Sequence, residues 1–208
     1  MCAVEYPCRH NKASCATSRS VLCMEETKKL SKAHLGAIGE NMVAVRLLQN
    51  GWDAISANQS INNCQSYDII CVDPATGKTS LVQVKTSFGN NIPVGMRLEE
   101  CTIEKLEKKI VGPWVFVHVA GEGEAMTFKF YILSRNEIIR LIYESNDWYV
   151  NKWHRNGRTV NLQSACGVKV SWLEGKGEDN NDKHDAFINP LKSSSIDSVV
   201  TWRKIFDD

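Results

Sequence analysis

Apolar residues recur at helical spacing in the first organised part of the chain, which begins near Ser31. Ser31 is a suitable N-cap and Gly51 a suitable stop after the last turn, so a helix is predicted over 32–50. Its apolar positions recur at steps of three and four residues, and they are Leu35, Ile38, Met42, Val45 and Leu48. The pattern predicts an amphipathic helix with one face against a core.

Strands and helices alternate after this helix. Runs of β-forming residues predict strands, whereas Ser134 and Glu137 form a capping-box pattern that opens a helix to about residue 144. The predicted strands cover 52–57, 67–72, 79–86, 114–119, 126–133, 148–153 and 168–173. Further helices are predicted over 102–110 and 196–206, with loops at 58–65 and 88–96 and a charged linker at 174–185. This order predicts an α/β or α+β fold.

The segment 73–78 has the composition of a four-residue hairpin loop. Pro74 fixes φ early in a type I turn, and Gly77 adopts the left-handed conformation that closes such a turn at little cost. The sequence therefore predicts a tight hairpin in which Asp73 pairs with Lys78.

This register brings three polar side chains to one face of the hairpin. Asp68 lies opposite Gln83, with Cβ atoms about 4.5–5.5 Å apart. Lys85 emerges on the same face because it follows Gln83 by two residues. A one-residue bulge at Gly77 would instead move Asp68 to the opposite face.

A carboxylate, an amide and an ammonium group at one place suit a hard cation that binds phosphate. Asp68 and Gln83 offer the oxygen ligands that Mg²⁺ prefers, and Lys85 can hold a phosphate and stabilise charge that develops in attack. The alternative is a surface hairpin in which Asp68 and Lys85 form a salt bridge.

Glu40 is a second carboxylate with an unusual setting. Its neighbours on the predicted helix form a small and apolar stripe, Gly36, Val43, Ala44 and Leu47. A carboxylate that faces inward needs a partner, since burial of an unpaired charge is costly. A metal site or an amide cluster would supply one, whereas an ordinary surface glutamate is the alternative.

These residues together resemble the PD-(D/E)xK nuclease superfamily, which includes restriction-endonuclease-like and Holliday-junction-resolvase-like proteins. The resemblance rests on Gly36-x-x-Gly39-Glu40, Tyr67-Asp68 and Gln83-Val84-Lys85, and it covers about residues 31–119. It implies an αβββαβ core with a central mixed sheet and hydrolysis of phosphodiesters in DNA, less often RNA, with Mg²⁺ or Mn²⁺.

The resemblance also implies roles for single residues. Asp68 would be the main metal ligand, Gln83 would stand at the second ligand position, Lys85 would be the catalytic lysine, and Glu40 would help to bind metal or water. Two positions depart from the motif. Tyr67 replaces a proline, with little chemical consequence, and Gln83 replaces Asp or Glu, which removes one negative charge and lowers the expected metal affinity. A nuclease fold that binds nucleic acid or protein without efficient catalysis is therefore the rival hypothesis.

Contacts to nucleic acid are predicted at Arg97 and at three lysines of the short helix, Lys105, Lys108 and Lys109. A solvated helix face is the alternative, because Glu104 and Glu107 are interleaved with the lysines. Loop asparagines and an aromatic cluster are weaker candidates for base or backbone contacts, and turn formation and core packing are favoured for them. They are Asn58, Asn62, Asn63, Asn90, Asn91, Trp148, Tyr149, Trp153 and His154; His118 is expected to be a core histidine.

Composition limits the other possibilities. The 208 residues carry 25 Lys and Arg against 24 Asp and Glu, so no overall positive field attracts nucleic acid. Eight cysteines without an export signal predict reduced thiols in an intracellular, cytoplasmic protein, and no apolar run predicts a membrane helix. Family members often act as dimers, but the sequence marks no dimer face.

Three regions are expected along the chain: a leader over 1–30, a nuclease-like core over 31–145, and a C-terminal extension with β-rich and helical parts over 146–208. The leader contains Cys2, Cys8, Cys15, Cys23 and His10, at spacings looser than the tight pairs of zinc sites. A leader without a metal is therefore favoured over a zinc site.

Overall fold

The structure is a computed structural model that describes residues 30–57, 66–152, 159–180, 185–191 and 196–207. The predicted leader, the loop at 58–65, and Trp153 with His154 lie outside the described residues. Three longer helices are present, α1 (Lys32–Gln49), α2 (Ile103–Lys109) and α3 (Arg135–Asp147). The strands are β1 (Asp53–Ser56), β2 (Ile69–Val72), β3 (Thr79–Ser87), β4 (Asn91–Arg97), β5 (Trp114–Ala120), β6 (Thr127–Leu133) and β7 (Ala165–Lys169).

A mixed sheet of five strands in the order β1-β2-β3-β5-β6 forms the centre of the fold. Neighbouring strands are antiparallel except for β3 and β5, which are parallel and are connected through α2. Strands β4 and β7 form a separate antiparallel ribbon. The predicted fold class, a mixed α and β fold with a central mixed sheet, is confirmed.

The predicted hairpin register is also confirmed. Val72 pairs with Thr79 and Ile69 with Val82, and the Asp73 N–H donates to the Lys78 carbonyl at 2.9 Å. Gly77 has φ of 70°, as the turn requires, and the strands pair without a bulge. Asp68 and Gln83 therefore meet at the end of the paired segment.

The two faces of the central sheet are covered by different elements. Helix α1 and the C-terminal segment with Trp202 and Ile205 cover the face that carries Val82 and Val84. The β4–β7 ribbon, α2 and α3 cover the opposite face, where Phe116 is fully buried. Since Gln83 and Lys85 alternate with Val82 and Val84 along β3, they lie on the face toward the ribbon.

Helix α1 begins and ends as predicted but buries a different stripe. The Ser31 hydroxyl accepts from the His34 N–H at 3.2 Å, and Gly51 has φ of 82° after the last turn. The buried positions are Leu35, Gly39, Val43 and Leu47, whereas the predicted Val45 and Leu48 are exposed. The difference arises because Gly39, which a count of apolar residues omits, lies against the sheet.

Two predictions fail at the ribbon. The predicted loop at 88–96 is strand β4, in which buried and exposed residues alternate. Pro93 and Gly95 argue against a strand in the sequence, but both are tolerated here because, among the described residues, β4 pairs on one side only, with β7. The predicted strand at 168–173 ends at Lys169, and the helical turn Val170–Leu173 follows.

Two further predictions fail near the C-terminal part. The predicted strand at 148–153 is the π-helical turn Trp148–Lys152, which continues α3 because no glycine or proline ends that helix. The predicted helix at 196–206 is shorter, Val199–Trp202, followed by the 3₁₀ turn Arg203–Phe206. Ile196 instead forms a bridge with Tyr131 of β6.

The division of the chain at residue 145 stays a prediction. Beyond this point, β7 pairs with β4 and Trp202 enters the core. In the described part of the chain, no helix combines the length and apolarity that crossing a bilayer requires.

Candidate functional site

Three elements position the candidate residues, namely the strands β2 and β3 and the helix α1. Asp68 directly precedes β2, Gln83 and Lys85 lie on β3, and Glu40 lies on α1. The hairpin register joins Asp68 to Gln83, and the period of β3 places Lys85 beside them. The charges of Asp68 and Glu40 both act on Lys85, so all four side chains belong to one neighbourhood.

Asp68 is a buried carboxylate with one committed oxygen. Asp68 is only 9% exposed. Its Oδ2 accepts hydrogen bonds from the Gln83 amide nitrogen and from the Val84 N–H, the latter at 2.7 Å. Its Oδ1 accepts no hydrogen bond from the described part of the chain. Burial raises the pKa of Asp68, although the Val84 N–H, the Lys85 charge and the Gln83 amide each act to lower it.

Gln83 holds the carboxylate in place. It is 7% exposed, its backbone N–H donates to the Pro113 carbonyl at 3.0 Å, and its amide nitrogen faces Asp68. The amide therefore fixes the orientation of Asp68, and the carbonyl oxygen is the atom that Gln83 would offer to a cation.

Lys85 lies half-buried between the sheet and the ribbon. Its Nζ is 5.3 Å from the centroid of the Trp114 ring, a cation–π distance. Burial lowers the pKa of Lys85, and the charges of Asp68 and Glu40 oppose this shift while that of Lys109 adds to it. The lysine is thus poorly solvated and lies within the electrostatic reach of two carboxylates.

A bulge in the ribbon makes room for this lysine. The pairing of β4 with β7 shifts between Pro93 and Arg97, and Gly95 within the bulge has φ of 76°. A Cβ atom at Gly95 would lie 3.9 Å from Lys85 Nζ. Sequence reasoning missed Gly95 and Trp114 as neighbours of the site, and the isolated glycine in an otherwise alternating segment was the available signal.

Glu40 reaches the site because α1 packs tightly on β3. The preceding residue, Gly39, lies so close to Thr86 that a side chain at position 39 would overlap it. Glu40 is half-buried and favours the charged form of Lys85. Gly39 thus allows the close packing of α1 on β3, and Glu40, the next residue, places a negative charge within reach of Lys85.

The oxygen atoms of the site fit one hard cation that keeps water molecules as most of its ligands. Asp68 Oδ1, the Gln83 carbonyl and Glu40 are oxygen donors, as Mg²⁺ prefers. Burial raises the pKa of Asp68, and a cation beside Oδ1 would favour the ionised carboxylate. Residues 30–57, 66–152, 159–180, 185–191 and 196–207 contain no group of three or more His, Cys, Asp or Glu side chains suited to a metal. Because residue 83 is glutamine, the site has two carboxylates, Asp68 and Glu40.

The predicted nucleic-acid contacts lie on the surface and have local partners. Lys108 pairs with Glu104 at 2.7 Å, Lys109 with Glu100 at 2.9 Å, and Lys105 donates to a backbone carbonyl. Arg97 donates to the Gln163 side chain. Lys109 is near enough to Lys85 to affect its pKa, so the end of α2 adjoins the site.

The weaker candidates are distributed around two other concavities. Asn90, Asn91 and His118 line a groove with Lys129 and Lys169, and His118 is half-buried rather than a core residue. Trp148 and Tyr149 line a separate cavity, together with Asn91. Asn58, Asn62 and Asn63 lie outside the described residues.

Comparisons with known proteins give little further information. No protein family matches the chain, and no curated protein matches it. Among solved structures, it is similar to a bacterial homing endonuclease at 21% identity, over 51% of this chain and 67% of that chain, with a TM-score of 0.33. A TM-score this low does not establish a shared fold. The side chains of the site are therefore the basis for any inference about function.

Proposed function

We propose that the protein is a metal-dependent endonuclease of the PD-(D/E)xK type that hydrolyses phosphodiester bonds in DNA. The proposal rests on the buried Asp68 carboxylate, which lies within the electrostatic reach of Lys85 and has one oxygen that accepts no hydrogen bond from the described part of the chain. Mg²⁺ or Mn²⁺ is the expected cofactor.

Asp68, Gln83 and Glu40 would hold the metal. A cation held there would supply Lewis acidity toward a phosphate oxygen and would favour the ionisation of water at the site. Gln83 keeps Asp68 oriented, and its amide nitrogen, which donates to Oδ2, favours the ionised form of the carboxyl group. Glu40 supplies the second negative charge of the site.

Lys85 would act directly on the scissile phosphate or on the attacking water. As an ammonium group, its Nζ neutralises charge that develops on a nonbridging oxygen. Because burial lowers its pKa, the amine form is more accessible than in a solvated lysine, and Nζ can then accept a proton from water. Trp114 and Gly95 border Nζ and restrict its position.

DNA is the proposed substrate, and RNA is the less favoured one. Lys109, which adjoins the site, and Arg97 are exposed, and together with Lys105 and Lys108 they would contact backbone phosphates. A contact with phosphate would have to replace the present pairs with Glu100 and Glu104, which are solvent-exposed and therefore weak.

A second candidate function is a catalytically weak nuclease fold that binds nucleic acid or protein. The observation that favours it is Gln83, which replaces a carboxylate and directs its amide nitrogen at Asp68. Such a protein would bind DNA through the same basic residues but would hold a metal poorly.

The proposal is tested by incubating plasmid DNA and single-stranded DNA with the protein and Mg²⁺ or Mn²⁺. Asp68→Ala and Lys85→Ala are compared with Lys78→Ala, which removes an exposed lysine at the hairpin loop away from the site. We expect cleavage by the wild type and Lys78→Ala, and a loss of about 100-fold or more in the two site variants.

Two results contradict the nuclease proposal. Equal cleavage by all variants would indicate a contaminating nuclease. Binding of DNA without cleavage under either metal would favour the second candidate function.

A further inference from the structure

An open groove of about 510 Å³ lies on the ribbon side of the central sheet, near the carboxyl end of β3. His118 of β5 lies in its wall and pairs with Ser87, the last residue of β3. Ser87 follows Lys85 by two residues, so the two side chains emerge on the same face of the strand. The groove therefore begins one side-chain step beyond the candidate catalytic lysine.

Positive charge exceeds negative charge at this groove. Lys129 and Lys169 line it together with one acidic residue, Glu174. Glu174 is bonded to two ammonium groups, with Oε1 at 2.6 Å from Lys129 and Oε2 at 2.8 Å from Lys176. Lys169 pairs with Glu178 at 2.6 Å. Three lysines thus face two glutamates, and each ammonium group has three N–H donors, so charge and donors remain for a further anion.

Neutral hydrogen-bond donors accompany these lysines. The side chains of Asn90, Asn91, His118 and Ser171 line the groove, and none of them has a hydrogen-bond partner in the described part of the chain. The Asn91 amide is held against Gly167, where a Cβ atom would overlap it. Amide and hydroxyl donors beside ammonium groups are the side chains that contact the phosphate oxygens of nucleic acids.

An aromatic ring without a stacking partner lies in the bend that carries Asn90. Phe88 directly follows β3, is 42% exposed, and makes no ring contact within the described residues. A cationic groove for the backbone beside an exposed ring for a base is the arrangement by which proteins bind single-stranded nucleic acid.

We propose that the groove binds the phosphate backbone of a single-stranded nucleic acid, with one base stacked on Phe88. The lysine, amide and hydroxyl donors hold the phosphate oxygens, and only an unpaired base offers its face to the ring. The inference names the form of the substrate and in that respect rests on the proposed function. The binding itself requires neither metal nor cleavage.

The first measurement locates the binding through the imidazole signals of His118, in the full chain labelled with ¹³C and ¹⁵N. His118→Gln assigns these signals by their loss. A thymidine hexanucleotide is titrated in EDTA at low ionic strength. Its matched control is the same hexanucleotide with methylphosphonate linkages, which keeps the bases but carries no backbone charge, and inorganic phosphate is titrated as a lone anion.

The second measurement gives the affinity of variants for the labelled hexanucleotide by fluorescence anisotropy. Asn90→Ala is compared with Asn136→Ala, an exposed asparagine on α3, and Phe88→Ala with Tyr143→Ala, an exposed ring on the same helix. Asn90→Ala should weaken binding about two- to tenfold, the effect of one hydrogen bond, and Phe88→Ala at least about fivefold. Both control variants should bind like the wild type.

We expect saturable shifts of the His118 signals with the charged hexanucleotide and none with its neutral analogue. Equal shifts with the neutral analogue, or with inorganic phosphate at the same concentration, would overturn the proposal. So would binding that leaves the His118 signals unmoved, or unchanged affinity in Asn90→Ala or Phe88→Ala. Because metal is absent throughout, these results leave the nuclease proposal standing, whereas binding at this groove by a protein that never cleaves contradicts the nuclease proposal alone.

Discussion

Gly39 of α1 and Thr86 of β3 approach each other so closely that no Cβ atom fits between them. The Thr86 hydroxyl is buried there without a hydrogen-bond partner in the described part of the chain. Glu40, the next residue of the helix, is placed by this approach and acts on Lys85. A packing contact on one face of the sheet thus determines a charge at the candidate site.

The first prediction compares two glycines of the same helix. Gly39→Ala should destabilise the protein by about 1–3 kcal/mol, because the added methyl group overlaps Thr86. Gly36→Ala is the matched control, since a Cβ there meets nothing within 4 Å, and it should stabilise the helix by about 0.5–1 kcal/mol. Urea unfolding measures both. Equal effects of the two substitutions would contradict the packing.

The sequence predicted much of the fold because its strongest signals are local. Ser31, Gly51 and the Ser134 capping box mark helix ends, and the 73–78 turn determines the register that joins Asp68 to Gln83. These features depend on backbone chemistry within a few residues, which a single sequence displays.

What the sequence did not predict depends on contacts distant along the chain. Pro93 and Gly95 argue against a strand at β4, and its pairing with β7, about 70 residues later, has no local signal in the sequence. Likewise, the buried face of α1 is determined by Gly39 against Thr86, and apolar periodicity gives a glycine no weight. The closeness of Trp114 to Lys85 follows from the parallel pairing of β3 with β5, which no local motif reveals.

The second prediction concerns the cost of the buried carboxylate. Asp68→Asn should stabilise the metal-free protein at neutral pH by about 0.5–2 kcal/mol, the usual scale for relief of a strained functional site. The asparagine oxygen can still accept from Gln83 and Val84, because both now donate to one oxygen.

The sign of the pH dependence follows from the raised pKa of Asp68. The folded wild type holds the proton of Asp68 to higher pH than the unfolded chain, so its stability falls as pH rises from about 4 through the folded-state pKa. The advantage of Asp68→Asn should therefore be small in acid and grow with pH. Thermal unfolding in EDTA at several pH values measures it, and an advantage that shrinks with rising pH would refute the assignment.

The third prediction restores a carboxylate at position 83. Gln83→Glu should raise Mg²⁺ affinity about tenfold, because a second close carboxylate joins Asp68. Without metal the same change should destabilise the protein, since glutamate cannot donate to Asp68 while ionised. Calorimetric titration and unfolding with and without Mg²⁺ measure these effects.

Gln49→Glu is the control for this charge change, because Gln49 is exposed at the end of α1. It should change neither metal affinity nor the response of stability to Mg²⁺. If both glutamate variants behave alike, Gln83 has no ligand role.

The fourth prediction tests the lysines of α2. Replacement of Lys105, Lys108 and Lys109 by glutamine should weaken DNA binding and reduce the slope of log K against log salt by about 2–3. A double variant of two exposed lysines elsewhere, Lys32 and Lys78, should leave the slope unchanged. Fluorescence anisotropy at several salt concentrations gives the slopes, and equal slopes for both variants would remove α2 from the DNA interface.

Anomalous diffraction from crystals soaked in Mn²⁺ tests most directly whether Asp68, Gln83 and Glu40 hold a cation beside Lys85. We expect an anomalous peak within about 2.0–2.6 Å of Asp68 Oδ1, the range for hard cations at oxygen, and no such peak in Asp68→Asn crystals. A wild-type crystal with no peak beside Asp68, or a peak that persists in Asp68→Asn, would contradict this expectation.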